Sequence, residues 1–224
     1  MVMSDLDRVL EAVEEALFQA QVAEDADKSA MFIRAEELAT AFVERFPESA
    51  IAHHTLALSW YHRPIDSPGR HEAIVRHLER AHSLDPSDPF VLAFLAYHRF
   101  DRGEFSAASR WLRRIPPQRF AASGQEWRDL KHRELLLACD ILLGNPVDRT
   151  ELAGVASLYR EADEDAATWP NELVGAVLDR ARTGQIDQGI GEIVLDMFEN
   201  EDIVQALGAE QKELQRFVRR SARQ

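Results

Sequence analysis

The chain has 224 residues, of which 46% are hydrophobic and 29% are charged, and its formal net charge is −13. This composition excludes a disordered chain, and no apolar stretch approaches the roughly 20 residues that a membrane span needs. The start, MVMSDLDRVLEAVEEAL, carries acidic residues where a secretory signal has basic residues followed by an uninterrupted apolar stretch, so we expect a cytoplasmic protein. The net negative charge disfavours general electrostatic attraction to nucleic acid.

The charge is unevenly distributed along the chain. Residues 1–50 and 121–224 each carry a balance of −8, whereas residues 51–120 carry +3 and seven of the eight histidines. Cys139 is the one cysteine of the sequence and lies in the apolar run LLLACDILL. It therefore excludes an internal disulfide and is predicted to be a small buried packing residue.

Two helical hairpins are predicted before residue 85. Ser4 is suited to cap the first helix, and a second helix ends at Pro47, with the polar stretch from Glu24 to Ser29 as the turn. The next two helices are predicted at 49–62 and 70–84. The segment RPIDSPGR between them has two prolines and a glycine and is predicted to be a solvent loop. The apolar stripe of the first helix is Leu6, Val9, Leu10, Val13, Leu17 and Phe18.

A third hairpin shows the clearest repeat pattern, PFVLAFLAYHRFDRGEFSAASRWLRRIP, with its second helix expected to end at Pro116. Small and apolar residues at helical spacing allow its two helices to pack closely. The pattern resembles the tetratricopeptide repeat family over residues 49–116, with an insertion after Tyr61 and Arg99 in a position that is usually aromatic. The residues that carry the resemblance are Leu92, Leu95, Ala96, Gly103, Phe105, Ala108 and Leu112.

Less regular hairpins are predicted on both sides of this match. They span residues 4–46, 125–164 and 170–199, and an amphipathic helix at 201–222 is predicted to cap the end of the stack. The sequence thus predicts an all-α protein. The resemblance implies a right-handed solenoid of about five helical hairpins that forms a single domain over residues 1–224.

In the family, the first helices of successive hairpins line a concave wall. By resemblance, the wall here consists of Ile51, His54, Leu58, Tyr61, His62, Phe90, Ala93, Tyr97, Phe100 and Asp101. An apolar and aromatic groove of this kind suits a helix or an extended peptide. The Lys and Asn with which family members clamp a terminal carboxylate are missing from it. An alternative is that the C-terminal helices fill the groove and make it part of the core.

The histidines and the arginines of the middle segment suggest two further kinds of site. The histidines at 53, 54, 62, 71, 77, 82 and 98 suggest a metal-dependent enzyme or regulator, but their spacing does not match a helical metal motif. Arg110, Arg113 and Arg114 form a basic patch on one predicted helix face, which would suit RNA or an acidic partner. Pairing of these arginines within the chain is the alternative.

The sequence has no Gly-rich phosphate loop, GxSxG, HExxH or CxxC motif. We therefore expect no enzymatic activity, no cofactor and no bound metal. The predicted function is a scaffold or adaptor for a protein or peptide partner, with a cognate inhibitor and an assembly factor as variants of it. A monomer and a homodimer are both compatible with the pattern.

Overall fold

The computed structural model describes residues 4–23, 25–162 and 169–221. Within these ranges all regular secondary structure is helical, with eleven α-helices, two short 3₁₀ helices and no strand. The predicted all-α class is therefore confirmed. The chain divides into two compact units, which we call unit 1 (up to Leu95) and unit 2 (from Ala96 onward). The single predicted domain stays a prediction.

Unit 1 consists of helical hairpins in which α1 packs along α2, α2 along α3 and α3 along α4. The first helix begins with a capping box, because the Ser4 hydroxyl accepts from the Asp7 amide and the Asp7 carboxylate accepts from the Ser4 amide. Ser49 likewise caps α3. The helices of unit 1 are α1 (Asp5–Val22), α2 (Asp25–Arg45), α3 (Ala50–Tyr61), α4 (Arg70–Leu84) and the start of α5 (Pro89–Asp101), within which the two units divide.

Small side chains allow the helices of unit 1 to approach closely. Ala35, Ala39 and Ala52 are completely or almost completely buried around the ring of Phe42. Phe18 is 56% exposed, so its predicted place in the inward stripe is wrong. It follows the buried residue of the stripe by one position, and one position turns the helix by about 100°. The buried residues of this core are Val13, Leu17, Ala35, Ala39, Phe42, Ala52 and Leu56.

The turn predicted from Glu24 to Ser29 is wrong, because α2 already begins at Asp25. Residue 24 itself lies outside the described ranges. Acidic residues such as Asp27 at the start of a helix complement the positive end of its dipole, so a polar stretch here belongs to the first turn of α2. Lys28 and Ser29 therefore lie on α2, and they line a cleft together with His62 at the end of α3.

Unit 2 is built around α7, which packs against α6, α8 and α9. The helix α10 packs against α8 and α11, and at Asp196 it passes into a 3₁₀ turn. α11 has a kink at Leu207, where φ is −124° and ψ is 29°. The helices of unit 2, after the end of α5, are α6 (Phe105–Leu112), α7 (Glu126–Leu143), α8 (Arg149–Arg160), α9 (Asn171–Arg182), α10 (Gln188–Leu195) and α11 (Glu201–Ser221).

A buried carboxylate joins three helices of unit 2. Glu134 of α7 has no exposed surface, and one of its oxygens accepts from the backbone amides of Glu172 and Leu173 at 3.1 and 3.0 Å. Its other oxygen accepts from the Tyr159 hydroxyl at 2.7 Å and from the ammonium of Lys131 at 2.8 Å. The carboxylate therefore caps the start of α9 and ties it to α7 and α8.

No helix among the described residues combines the length and the apolar character that a membrane crossing requires.

Candidate functional site

The unit 1 part of the predicted wall lies on one side of α3. Ile51 is 38% exposed, and the other predicted wall residues of α3 are half-buried. The rings of His54 and Tyr61 lie 5.4 and 5.9 Å from the ring of Phe94 in α5. These contacts place α3 and the first part of α5 next to each other, as the repeat pattern predicts. Phe94 contacts two predicted wall residues, although the repeat pattern did not assign it to the wall.

Three predicted wall residues belong to unit 2. Tyr97 is half-buried, and burial raises the pKa of its hydroxyl to about 12. Phe100 packs edge-on against Phe105, with 5.2 Å between the ring centroids, and Asp101 is exposed. That these residues share one groove with His62, Leu58 and Phe90 of unit 1 stays a prediction.

The predicted basic patch does not lie on a single helix face, because α6 ends at Leu112 and not at Pro116. Arg113, just beyond the helix, donates to both carboxylate oxygens of Asp140 at 2.9 Å. The guanidinium of Arg114 stacks on the Trp111 ring at 4.7 Å, and Arg110 is exposed. Intramolecular contacts therefore engage two of the three arginines.

The histidines of unit 1 make a pair instead of a metal cluster. Nδ1 of His53 lies 3.0 Å from Nδ1 of His77, and Nε2 of His53 lies 3.0 Å from the carbonyl oxygen of Pro47. Since the carbonyl can only accept, Nε2 of His53 carries its proton, and Nδ1 accepts from His77. Burial, and then the charges of Arg76 and His53, lower the pKa of His77 to about 4. Across the described ranges, no three His, Cys, Asp or Glu side chains are placed to hold a metal ion.

A concave feature of unit 1 lies between α2 and the segment that follows α3. We call it the α2–α3 cleft, and its volume is about 520 Å³. Of its residues, the sequence predicted only His62 as a site residue, and three others belong to the segment RPIDSPGR, which was predicted to be a solvent loop. The lining residues are Lys28, Ser29, Phe32, Ile33, His62, Arg63, Pro64 and Ser67.

An aromatic stack forms the inner surface of the α2–α3 cleft. The rings of Phe32 and His62 are 5.2 Å apart and almost parallel, with 12° between their planes. The amide nitrogen of Gln21 lies 3.2 Å from Nε2 of His62. Because an amide nitrogen only donates, Nε2 accepts and the neutral imidazole carries its proton on Nδ1. Beside the stack, the side chain of Ile33 is 51% exposed.

The loop on the other side of the cleft is held by two successive turns. The Ser67 amide donates to the carbonyl of Pro64 at 3.0 Å, and the Arg70 amide donates to the carbonyl of Ser67 at 3.2 Å. Gly69 has a φ of +72°, which a side chain would disfavour, and it leads directly into α4. The inserted loop is thus a shaped wall built by its own turns.

Two arginines fasten this loop to the helices. Arg63 contacts Glu36 of α2 at 2.5 Å, and its guanidinium lies 4.3 Å from the centre of the Trp60 ring. Arg70 donates to the carbonyl of Tyr61 at 2.6 Å and lies over the ring of the same residue at 5.2 Å. Both ends of the loop are therefore anchored, and the cleft is formed without a partner.

The electrostatic environment of the cleft is positive. Burial is the largest cause that lowers the pKa of His62, followed by the charges of Arg70 and Lys28. The lowered pKa keeps the imidazole neutral at pH 7, so that it presents an apolar ring face beside two cations. This combination suits the binding of a ligand better than acid–base catalysis.

The thiol of Cys139 is not placed to act as a nucleophile. Cys139 is completely buried, and burial raises the pKa of its thiol to about 12. A thiol with such a pKa is not ionised at neutral pH and does not react readily. This agrees with the packing role predicted for it.

In comparisons with known proteins, neither a protein-family model nor a curated protein matches this chain.

Proposed function

We propose that this chain is a non-enzymatic, cytoplasmic scaffold of tetratricopeptide-like helical hairpins that binds a peptide segment of another protein. The pairing of α1 with α2, α3 with α4 and α7 with α8 supports a right-handed stack of such hairpins. A stack of this kind offers a long surface whose side chains vary without loss of the fold. The proposal includes adaptors, assembly factors and cognate inhibitors, which share this mode of binding.

The α2–α3 cleft is the observation that carries the proposal. It combines a stacked aromatic pair, Phe32 and His62, with the exposed side chain of Ile33. Apolar side chains inserted into a preformed pocket contribute most of the free energy of many protein interfaces. Since Tyr61 and His62 are consecutive, the cleft adjoins the α3 part of the predicted wall. A peptide anchored in the cleft can continue along α3.

Selection from a peptide library tests the proposal. Random peptides of about twelve residues, displayed on phage, are selected on the immobilised full chain, and the enriched peptides are synthesised with a fluorescent label. We expect the variant Ile33→Asp to weaken binding of these peptides about tenfold or more, because a charge replaces the apolar contact. Fluorescence anisotropy measures the Kd.

Two further isoleucine variants complete the experiment: one is a matched control and the other tests the predicted wall. Ile65→Asp makes the same change at the tip of the loop, where the side chain is 86% exposed and does not line the cleft, and it should leave the Kd within about twofold. Ile51→Asp tests the wall predicted from the sequence. Failure to enrich any peptide, or equal binding to all three variants, would contradict the proposed function.

A further inference from the structure

We infer that the segment bound by the α2–α3 cleft is acidic: an apolar side chain enters the cleft and neighbouring Asp or Glu residues face its cationic edge. This inference rests on the proposed function and specifies the chemistry of the partner. It follows from which charges around the cleft are already compensated and which are not.

The three cations near the cleft differ in their partners. Arg63 is neutralised by Glu36, which contacts it at 2.5 Å. Lys28 forms no ion pair with any carboxylate in the described part of the chain. Arg70 is bound only by a carbonyl and an aromatic ring, and its Nε has no hydrogen-bond partner among the described residues. Lys28 and Arg70 therefore carry charge that no carboxylate among the described residues of unit 1 balances through a direct contact.

The position of these two charges is marked by the histidine between them. Lys28 precedes the apolar residues of α2 that line the cleft, and Arg70 starts α4 at the end of the loop. Both act on His62 with the sign expected of a nearby positive charge. The ring of His62 is itself part of the cleft, so a bound ligand experiences the same positive potential.

The sign of Lys28 and Arg70 is opposite to that of the net charge of the molecule. The chain has a net charge of −13, and residues 1–50, which contribute α1 and α2, have a balance of −8. An acidic peptide is repelled by most of this surface and attracted by the cleft. Complementary charge of this kind selects the partner and its orientation more than it raises the affinity.

The apolar component of the ligand follows from the shape of the cleft. A volume of about 520 Å³ is within the range of ligand pockets. Ile33 and the Phe32–His62 stack offer no hydrogen-bonding group toward a fully polar ligand apart from the imidazole Nδ1. A purely polyanionic ligand would leave this apolar surface uncovered, whereas an acidic segment with a Leu, Ile or Phe side chain covers it.

The composition of the selected peptides and a pair of charge reversals test the inference. We expect the enriched peptides to combine Asp or Glu with a large apolar residue. Their Kd for the full chain should rise about tenfold in Lys28→Glu and should also rise between roughly 0.05 and 0.5 M salt. The control Lys212→Glu makes the same change at an exposed lysine of α11 and should leave the Kd within about twofold.

The possible outcomes distinguish a failure of the inferred acidic chemistry from a failure of the proposed peptide binding. Enriched peptides that are neutral or basic, or acidic peptides whose Kd changes equally in Lys28→Glu and Lys212→Glu, would overturn the inference and leave peptide binding intact. Absence of any enriched peptide would overturn the proposed function together with it. Acidic peptides that lose binding only in Lys28→Glu would support both.

Discussion

Unit 1 and unit 2 are built from the same kind of helical hairpin, but they place polar and apolar side chains in opposite ways. Unit 2 buries carboxylates: Asp129 accepts from the amides of Phe120 and Ala121, and Glu134 accepts from four donors. Among the described residues of unit 1, no carboxylate is buried. Instead, six of the nine large apolar side chains that are exposed belong to unit 1.

This difference leads us to expect effects on stability in unit 2 and effects on the proposed binding in unit 1. A buried carboxylate with all its hydrogen bonds satisfied fixes the arrangement of helices and leaves little for a partner to contact. Exposed apolar side chains contribute nothing to the fold by burial, but they are available to a partner. The polar interior of unit 2 is therefore where we expect the largest effects on stability, and the surface of unit 1 is where we expect effects on binding.

The largest effect is expected at Glu134. Glu134→Ala removes the acceptor for the start of α9 and leaves Lys131 and the Tyr159 hydroxyl without this partner inside the protein. Lys131 keeps Glu172 and the Trp169 carbonyl as partners, but two backbone amides and the Tyr159 hydroxyl lose their acceptor. Each buried donor left unsatisfied costs about 1–3 kcal/mol, so the sum is about 3 kcal/mol or more. We expect a decrease of this size in the free energy of unfolding, measured by urea denaturation and circular dichroism. Glu126→Ala, an exposed change in the same helix, should cost less than about 0.5 kcal/mol.

Equal stability of Glu134→Ala and Glu126→Ala would contradict the stabilising role of the buried carboxylate in unit 2. Glu134→Gln tests how much of this role depends on hydrogen bonds alone. The glutamine carbonyl can still accept from the amides of Glu172 and Leu173, so its loss should be smaller than that of the alanine variant.

A medium effect is expected where α10 meets α11. A Cβ atom on Gly191 would lie 3.0 Å from a methyl carbon of Val218 and 3.2 Å from the ring of Phe217. Gly191→Val should therefore lower the free energy of unfolding by about 1–3 kcal/mol through overpacking. Gly175→Val is the matched control in α9, because no atom lies within 4 Å of its added Cβ, and it should change stability by less than about 0.5 kcal/mol.

At neutral pH the smallest effect is expected at the histidine pair of unit 1, because this effect develops only as the pH falls. The pKa of His77 is lowered from 6.5 to about 4 in the fold, so the unfolded chain binds this proton first as the pH falls. The contribution of His77 is complete above pH 6.5 and is lost progressively as the pH approaches 4. His77→Gln should therefore make the free energy of unfolding fall less steeply over this range. Urea unfolding at a series of pH values measures the slope, and an unchanged slope would contradict the paired geometry.

The helices could be predicted largely because their ends are determined locally. Ser49 caps α3 at the position where the helix was predicted to begin, and Gly103 has the positive φ of +73° that ends a helix before the next one begins at Phe105. The stop predicted at Pro116 was too late by one turn. Ile115 is nevertheless buried, so the apolar pattern identified an inward side chain but not the end of the helix.

The polar interior and the cleft could not be predicted, because their partners are distant in sequence. Glu134 binds the amide of Leu173, 39 positions later, and neither residue shows a pattern that indicates the contact. The Phe32–His62 stack likewise joins α2 to the residue that follows α3, and the contact depends on how these two helices pack. Helical periodicity identifies the face of a residue but not the atoms that it meets.

The central claim is that peptide binding is located in unit 1 at the α2–α3 cleft. Nuclear magnetic resonance measures this directly, through amide chemical shifts of the full chain during titration with an enriched acidic peptide. The account predicts that the largest changes occur in residues 28–33 and 61–67, and that they disappear in Ile33→Asp. Largest changes in α7–α11, with residues 28–33 unaffected, would contradict it.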